Sequence, residues 1–97
     1  MMAKIILQGT IIVPDEQLVI VKEALILHKT LTLLESGCIT FEVTQDRSDS
    51  NKFNVYEEFT DQQAFDSHQL RAKNSHWGIV TVNLPRNYRI SKGELTR

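Results

Sequence analysis

Apolar residues, most of them β-branched or leucine, fill residues 4–13 and stop at Pro14. That pattern predicts a strand with both faces largely covered. Pro14-Asp15-Glu16 marks a helix start, with acids near the positive end of the helix dipole. Residues 18–35 then have helical spacing. Ile20, Ala24, Leu27, Leu31 and Leu34 form one stripe, and Val21, Leu25, His28 and Thr32 form its neighbour. So broad an apolar surface suits a helix laid across a sheet. Ser36-Gly37 ends it, with Gly37 expected as the left-handed C′ residue. Ile39, Phe41 and Val43 alternate with Thr40, Glu42 and Thr44, which predicts a second strand. Residues 45–52 read as a polar turn between antiparallel strands. A third strand covers residues 53–60, with Phe53, Val55, Glu57 and Phe59 on its buried face. Asp61 is a good N-cap for a second helix running to about residue 74. On that helix Ala64, His68 and Ala72 share a stripe, with Phe65 beside His68. Residues 75–85 read as a short helical turn around Trp77 and an apolar run before Pro85. Residues 86–91 form a last strand with Tyr88 and Ile90 on one face, and residues 92–97 a polar tail.

The order β-α-β-β-α-β predicts an α+β domain of the ferredoxin-like plan over residues 1–97, an antiparallel sheet with two helices on one face. The helix-free face carries Thr40, Glu42, Asn54, Tyr56 and Glu58, with Ile6 and Ile12. That mixture suits either water or a second sheet. At 97 residues the chain makes a single domain, and its formal charge of −1 comes from interspersed signs. No basic stripe points to nucleic acid or an anionic membrane. The single cysteine, Cys38, excludes an intrachain disulfide framework and fits a reducing compartment. The apolar N-terminal run is too short for a signal peptide, and no run reaches the length of a membrane span. A cytoplasmic protein is expected.

Two polar residues occupy positions that should be core. Glu57 lies on the apolar face of its strand, and His68 on the inner stripe of its helix. A buried acid and a buried imidazole together line a small pocket, or else tie helix to sheet as a structural pair. His28 could face the same cavity or simply pack. Trp77 suits a core lid or a wall for a planar ring. Arg86 could supply positive charge to an anionic ligand of such a pocket. His76 is expected in solvent, and Cys38, with no base beside it, as a buried inert thiol. Arg71, Asn74 and Ser75 read as helix-end polar residues, Asn74 within reach of the pocket mouth. The histidines at 28, 68 and 76 lack the tight spacing of a metal site, and no phosphate loop is present.

The helix exit Glu35-Ser36-Gly37-Cys38 is followed by Phe53-x-x-Tyr56-Glu57-x-x-x-Asp61-x-x-Ala64-Phe65-x-x-His68. Together they resemble the antibiotic biosynthesis monooxygenase family, dimeric α+β-barrel proteins that include small quinol and anthrone monooxygenases. The resemblance extends over nearly the whole chain. Trp77-Gly78-x-Val80-Thr81 and Arg86-x-Tyr88-x-Ile90 are similar to a subset of the family. The sequence departs from it at Ser36, where proline is common, and after His68, where the next histidine is His76. Gln8 on the first strand does not match the asparagine of haem-degrading relatives. The resemblance implies a homodimer through the helix-free face and oxygen chemistry without flavin, haem, metal or other cofactor. It implies His68 as acid/base, oriented by Glu57, with Trp77, Phe65, Tyr56, Asn74, Arg86 and His28 as substrate-binding candidates. The substrate would be a small phenolic, quinol or polyketide-type aromatic, whose anion reduces oxygen itself. Two alternatives keep the fold: a non-catalytic binder of a small molecule or quinone, and an oxygen-independent isomerase-type enzyme acting on a small metabolite.

Overall fold

A computed structural model describes residues 3–94. Four strands, β1 (Ala3–Ile12), β2 (Cys38–Gln45), β3 (Lys52–Phe59) and β4 (Arg86–Glu94), form one antiparallel sheet in the order β2-β3-β1-β4. Helices α1 (Leu18–Leu33), α2 (Gln62–Lys73) and α3 (His76–Thr81) lie on one face of it. A short 3-10 turn, Asp15–Gln17, precedes α1. Of the polar tail expected at residues 92–97, residues 92–94 instead extend β4. Residues 95–97, and the two methionines that open the chain, lie outside the described residues.

Alternation on the strands sets the core. Ile5, Leu7 and Ile11 of β1 and Phe53, Val55 and Phe59 of β3 are buried under the helices. The register runs Phe41, Glu57, Leu7, Ile90 across the sheet, so Glu57 sits in a row of apolar partners. The outer face is partly covered within the chain. Glu58 anchors it, accepting hydrogen bonds from Lys4, Thr40 and the Tyr56 hydroxyl.

Three features differ from the sequence reading. The turn around Trp77 is a third helix, capped by Ser75, whose hydroxyl accepts from the Gly78 N–H. Gly78 lets α3 abut the end of α2, since a Cβ there would lie 2.3 Å from the Ala72 carbonyl oxygen. Gly37 is not left-handed. Among the described residues only Gly9 has a positive φ. Gly37 is small because a Cβ there would meet the Ala64 Cβ at 2.3 Å. Its carbonyl also accepts from the Thr60 N–H at 2.9 Å, so the exit of α1 is clamped onto the entry of α2.

The third difference is the rotation of α1. Val21, Ala24, His28 and Thr32 are buried, whereas Ile20, Leu27, Leu31 and Leu34 of the expected main stripe are exposed. A helix apolar almost all round carries no polar face to fix its rotation. Specific partners decide it instead. His28 stacks on Trp77, and Thr32 accepts a hydrogen bond from Arg71.

Candidate active site

Alternation along β3 turns Glu57 inward. Asp61 caps α2 by accepting from the Ala64 N–H at 2.8 Å, and the phase so set brings Phe65 and His68 inward. His68 is only 2% exposed. Its Nδ1 donates to Glu35 Oε1 at 3.0 Å. Its Nε2 lies 3.5 Å from Glu57 Oε1. The second oxygen of Glu35 accepts from Arg71 Nε, and Arg71 Nη2 donates to Thr32 Oγ1 at 2.9 Å. The result is a line of groups, Glu35–His68–Glu57. The Nδ1 proton held by Glu35 leaves Nε2 of the neutral ring as a proton acceptor.

Burial sets the protonation of this line. It pushes the Glu57 carboxyl up from 4.5 to about 7, helped by the nearby negative charge of Glu35. Burial pushes His28 down from 6.5 to about 3, reinforced by His68 and Arg71. His68 is also lowered by burial, against the opposing pull of Glu35. Near neutral pH the site therefore holds two uncharged imidazoles and a carboxyl poised to give or take a proton. Glu57 Oε1 and His28 Nδ1 are buried with no hydrogen-bond partner in the protein, donor and acceptor capacity that a ligand would use.

A cavity of about 220 Å³ opens beside the line, between the sheet and the three helices. His68, Glu57, His28, Trp77 and Arg86 all border it, with Tyr88 closing the β4 side. Trp77 lies flat on His28, their ring centroids 4.9 Å apart and planes parallel within 1°. Arg86 uses two of its N–H groups on the carbonyls of Thr81 and Leu84, capping the end of α3. Three sequence candidates are not brought there. Phe65 packs on Phe59 in the core, with centroids 5.7 Å apart. Tyr56 lies on the outer face of the sheet, bonded to Glu58. Asn74 caps the end of α2, its side chain donating to the Leu70 carbonyl. Parity along β3 turns Tyr56 to the other face of the sheet; Phe65 points inward like His68, but one turn earlier, where it fills the core beside Phe59 and does not border the cavity.

Sequence reasoning missed Glu35. It was read as part of a helix exit, yet it, and not Glu57, makes the short contact to His68. The available signal was Arg71, one turn after His68, a cation in need of an acid on that face. Among the described residues no group of three or more His, Cys, Asp and Glu side chains is arranged to hold a metal ion.

The raised carboxyl gives a stability prediction. Folded Glu57 keeps its proton over a range where the unfolded chain has lost it. Its contribution is thus full below pH 4.5 and is lost as pH rises through about 7. Glu57→Gln removes this loss while leaving the opposite trends of His28 and His68, whose contributions fall away in acid. The variant is expected to gain on the parent by about 3 kcal/mol between pH 4.5 and 8. Urea unfolding at the two pH values measures this. Parallel pH curves for the two proteins would place the Glu57 carboxyl in contact with water.

Comparisons with known proteins agree with this architecture. A conserved protein from Methanosarcina mazei Go1 superposes with a TM-score of 0.77 at 19% identity, covering 96% of this chain and 95% of that one. A protein from Pseudomonas aeruginosa gives 0.72 at 23% identity, covering 99% and 98%. The structure of an antibiotic biosynthesis monooxygenase gives 0.70 at 20% identity, covering 99% and 100%. At these identities the likeness concerns the fold. No curated protein sequence matches the chain significantly. The family model for antibiotic biosynthesis monooxygenases matches residues 5–74, which include most of β1, the Glu35 exit, Glu57 and His68. This chain therefore belongs to the antibiotic biosynthesis monooxygenase family.

Proposed function

We propose that this protein is a cofactor-independent monooxygenase that oxidises a small phenol or quinol with molecular oxygen, and that it works as a homodimer through the outer face of its sheet. The observation that carries the reading is the His68 ring, fixed at Nδ1 by Glu35 with Nε2 turned toward Glu57 and the cavity. Family membership supports it. The cavity lies below the range of about 300–1,000 Å³ usual for drug-sized ligands, which favours one substituted ring over a fused polyketide.

His68 Nε2 takes the proton of a substrate hydroxyl, and Glu35 stabilises the imidazolium formed. The electron-rich anion passes one electron to oxygen, and the two radicals combine to form a C–O bond. His68 returns its proton to the peroxide. The O–O bond then breaks, Glu57 protonates the departing oxygen, and the ring C–H proton passes to the Glu57 carboxylate so formed. For a quinol the sum is quinol plus oxygen giving hydroxyquinone plus water. The substrate supplies all four electrons, so no external reductant enters. Trp77, lying flat on His28, and Tyr88 form aromatic walls that limit water beside the anion, while His28 Nδ1 offers a polar contact to the substrate.

The outer sheet face suits a partner sheet. The half-buried acid network around Glu58 on that face is already satisfied within the chain, and Ile6 and Ile12 remain partly open.

Dissolved-oxygen uptake with a panel of substituted quinols, on metal-stripped protein, tests the activity. The expected result is uptake above the spontaneous rate and a product with one more oxygen and two fewer hydrogens. Binding without uptake would leave a carrier of such molecules, and an anaerobic product of unchanged mass would make the same pair an isomerase site.

A further inference from the structure

Helix α1 carries more apolar surface than its own sheet uses. Opposite its buried arc lie three pairs, Val19–Ile20, Ile26–Leu27 and Leu33–Leu34, together with Leu31, all between 37% and 76% exposed. Scattered exposed leucines are ordinary, but a contiguous patch is not. Taking roughly 150–200 Å² for a fully exposed aliphatic residue, the patch offers about 700 Å². That exceeds the largest patch of a typical monomer, about 300–600 Å², and approaches the about 800 Å² per partner of a standard interface.

The spacing says what covers it. The pairs recur every seven residues, the repeat that keeps one stripe against a partner helix at a crossing angle near 20°. The three pairs are also symmetric about their midpoint, whereas Leu31 maps onto Lys22 and stands outside that symmetry. A two-fold axis through Ile26–Leu27 lays Val19–Ile20 of one copy on Leu33–Leu34 of the other, and Ile26–Leu27 on itself. Glu23, the one charge inside the stripe, then meets Thr30 and not another Glu23. Self-complementarity of this kind is what an interface between identical chains requires. A helix shaped for an unrelated partner or a lipid surface has no need of it.

We propose that the exposed face of α1 is an interface with a second copy of this chain, the two helices packed antiparallel about an axis at Ile26–Leu27. The inference is independent of the chemistry in the cavity. It also uses a surface other than the outer sheet face, so pairing through both would close a tetramer if the two axes meet at right angles.

Sedimentation analysis of the full chain, beside Ile26→Lys, tests this. Ile26 is 71% exposed, so lysine does not disturb the fold of a single chain, and circular dichroism checks that. The expected result is an assembly of half the parental mass for Ile26→Lys. Mixing Ile26→Lys with Ile26→Glu is expected to restore the full mass, because opposite charges then meet at the axis. An unchanged mass in the folded lysine variant would overturn the proposal and leave the patch to a different protein or to lipid.

Discussion

His68→Ala is expected to lower oxygen-dependent turnover by about 10²–10⁴-fold, the usual worth of a positioned general base, while the chain stays folded. The imidazole is the one group that touches both carboxyls of the line, at 3.0 Å to Glu35 and 3.5 Å to Glu57. Its removal leaves no acceptor for the substrate proton between them. Glu35 remains paired with Arg71, and Glu57 can keep its proton, so neither carboxyl is left as an unpaired charge in the interior. Glu35→Gln separates positioning from packing. The ring stays, but the imidazolium loses its carboxylate partner, so the acidic limb of the turnover profile is expected to move to lower pH with a smaller loss of rate. Oxygen-electrode kinetics across pH, with circular dichroism on each variant, make the comparison. Full turnover in a folded His68→Ala protein would remove the ring from the chemistry.

Gly9→Ala is expected to cost about 4 kcal/mol or more, in the range reserved for backbone and core disruption. A Cβ at this position would lie 1.9 Å from the Asn87 carbonyl oxygen and 2.9 Å from the Tyr88 Cα. Both atoms belong to the backbone of β4, so relief requires the strand to move as a whole. Against a typical stability of about 5–15 kcal/mol this is a large share, and the melting temperature should fall by about 15–30 °C. Gly93→Ala is the control. Its Cβ would meet only the ends of the Ile6 and Lys4 side chains, at 3.2 and 3.3 Å, which can swing aside. Thermal unfolding of the two variants should differ sharply. Equal melting temperatures would mean that β1 and β4 can separate freely.

The strands and the second helix were legible because their polar and apolar residues alternate cleanly. Parity put Glu57 inward, and the Asp61 cap fixed the phase that put His68 inward, so the two groups most in need of explanation were found from local pattern. What local pattern does not carry was missed. Glu35 and His68 are 33 residues apart, and long-range contacts bring them together: Gly37 against Ala64 and Thr60, and Arg71 on Glu35 and Thr32. The rotation of α1 was unreadable for the opposite reason: too many of its positions are apolar for periodicity to choose among them. Tyr56 and Phe65 stand next to the right residues in sequence, yet a step of one along β3 puts Tyr56 on the other face of the sheet, and a step of three along α2 leaves Phe65 on the same inner face but in the core beside the cavity and not on its wall.

The sheet order also constrains how the protein is made. β1 leaves the ribosome first, but it is a central strand whose two neighbours are β3 and β4. One of its edges must wait for residues 86–94, almost the whole length of the chain later. Until then a strand of β-branched residues carries an unpaired row of N–H and carbonyl groups, the kind of edge on which nascent chains stick to one another. The sheet is thus complete only once β4 has been made, and the yield of folded protein should depend on how well holdase chaperones shield that first strand until then.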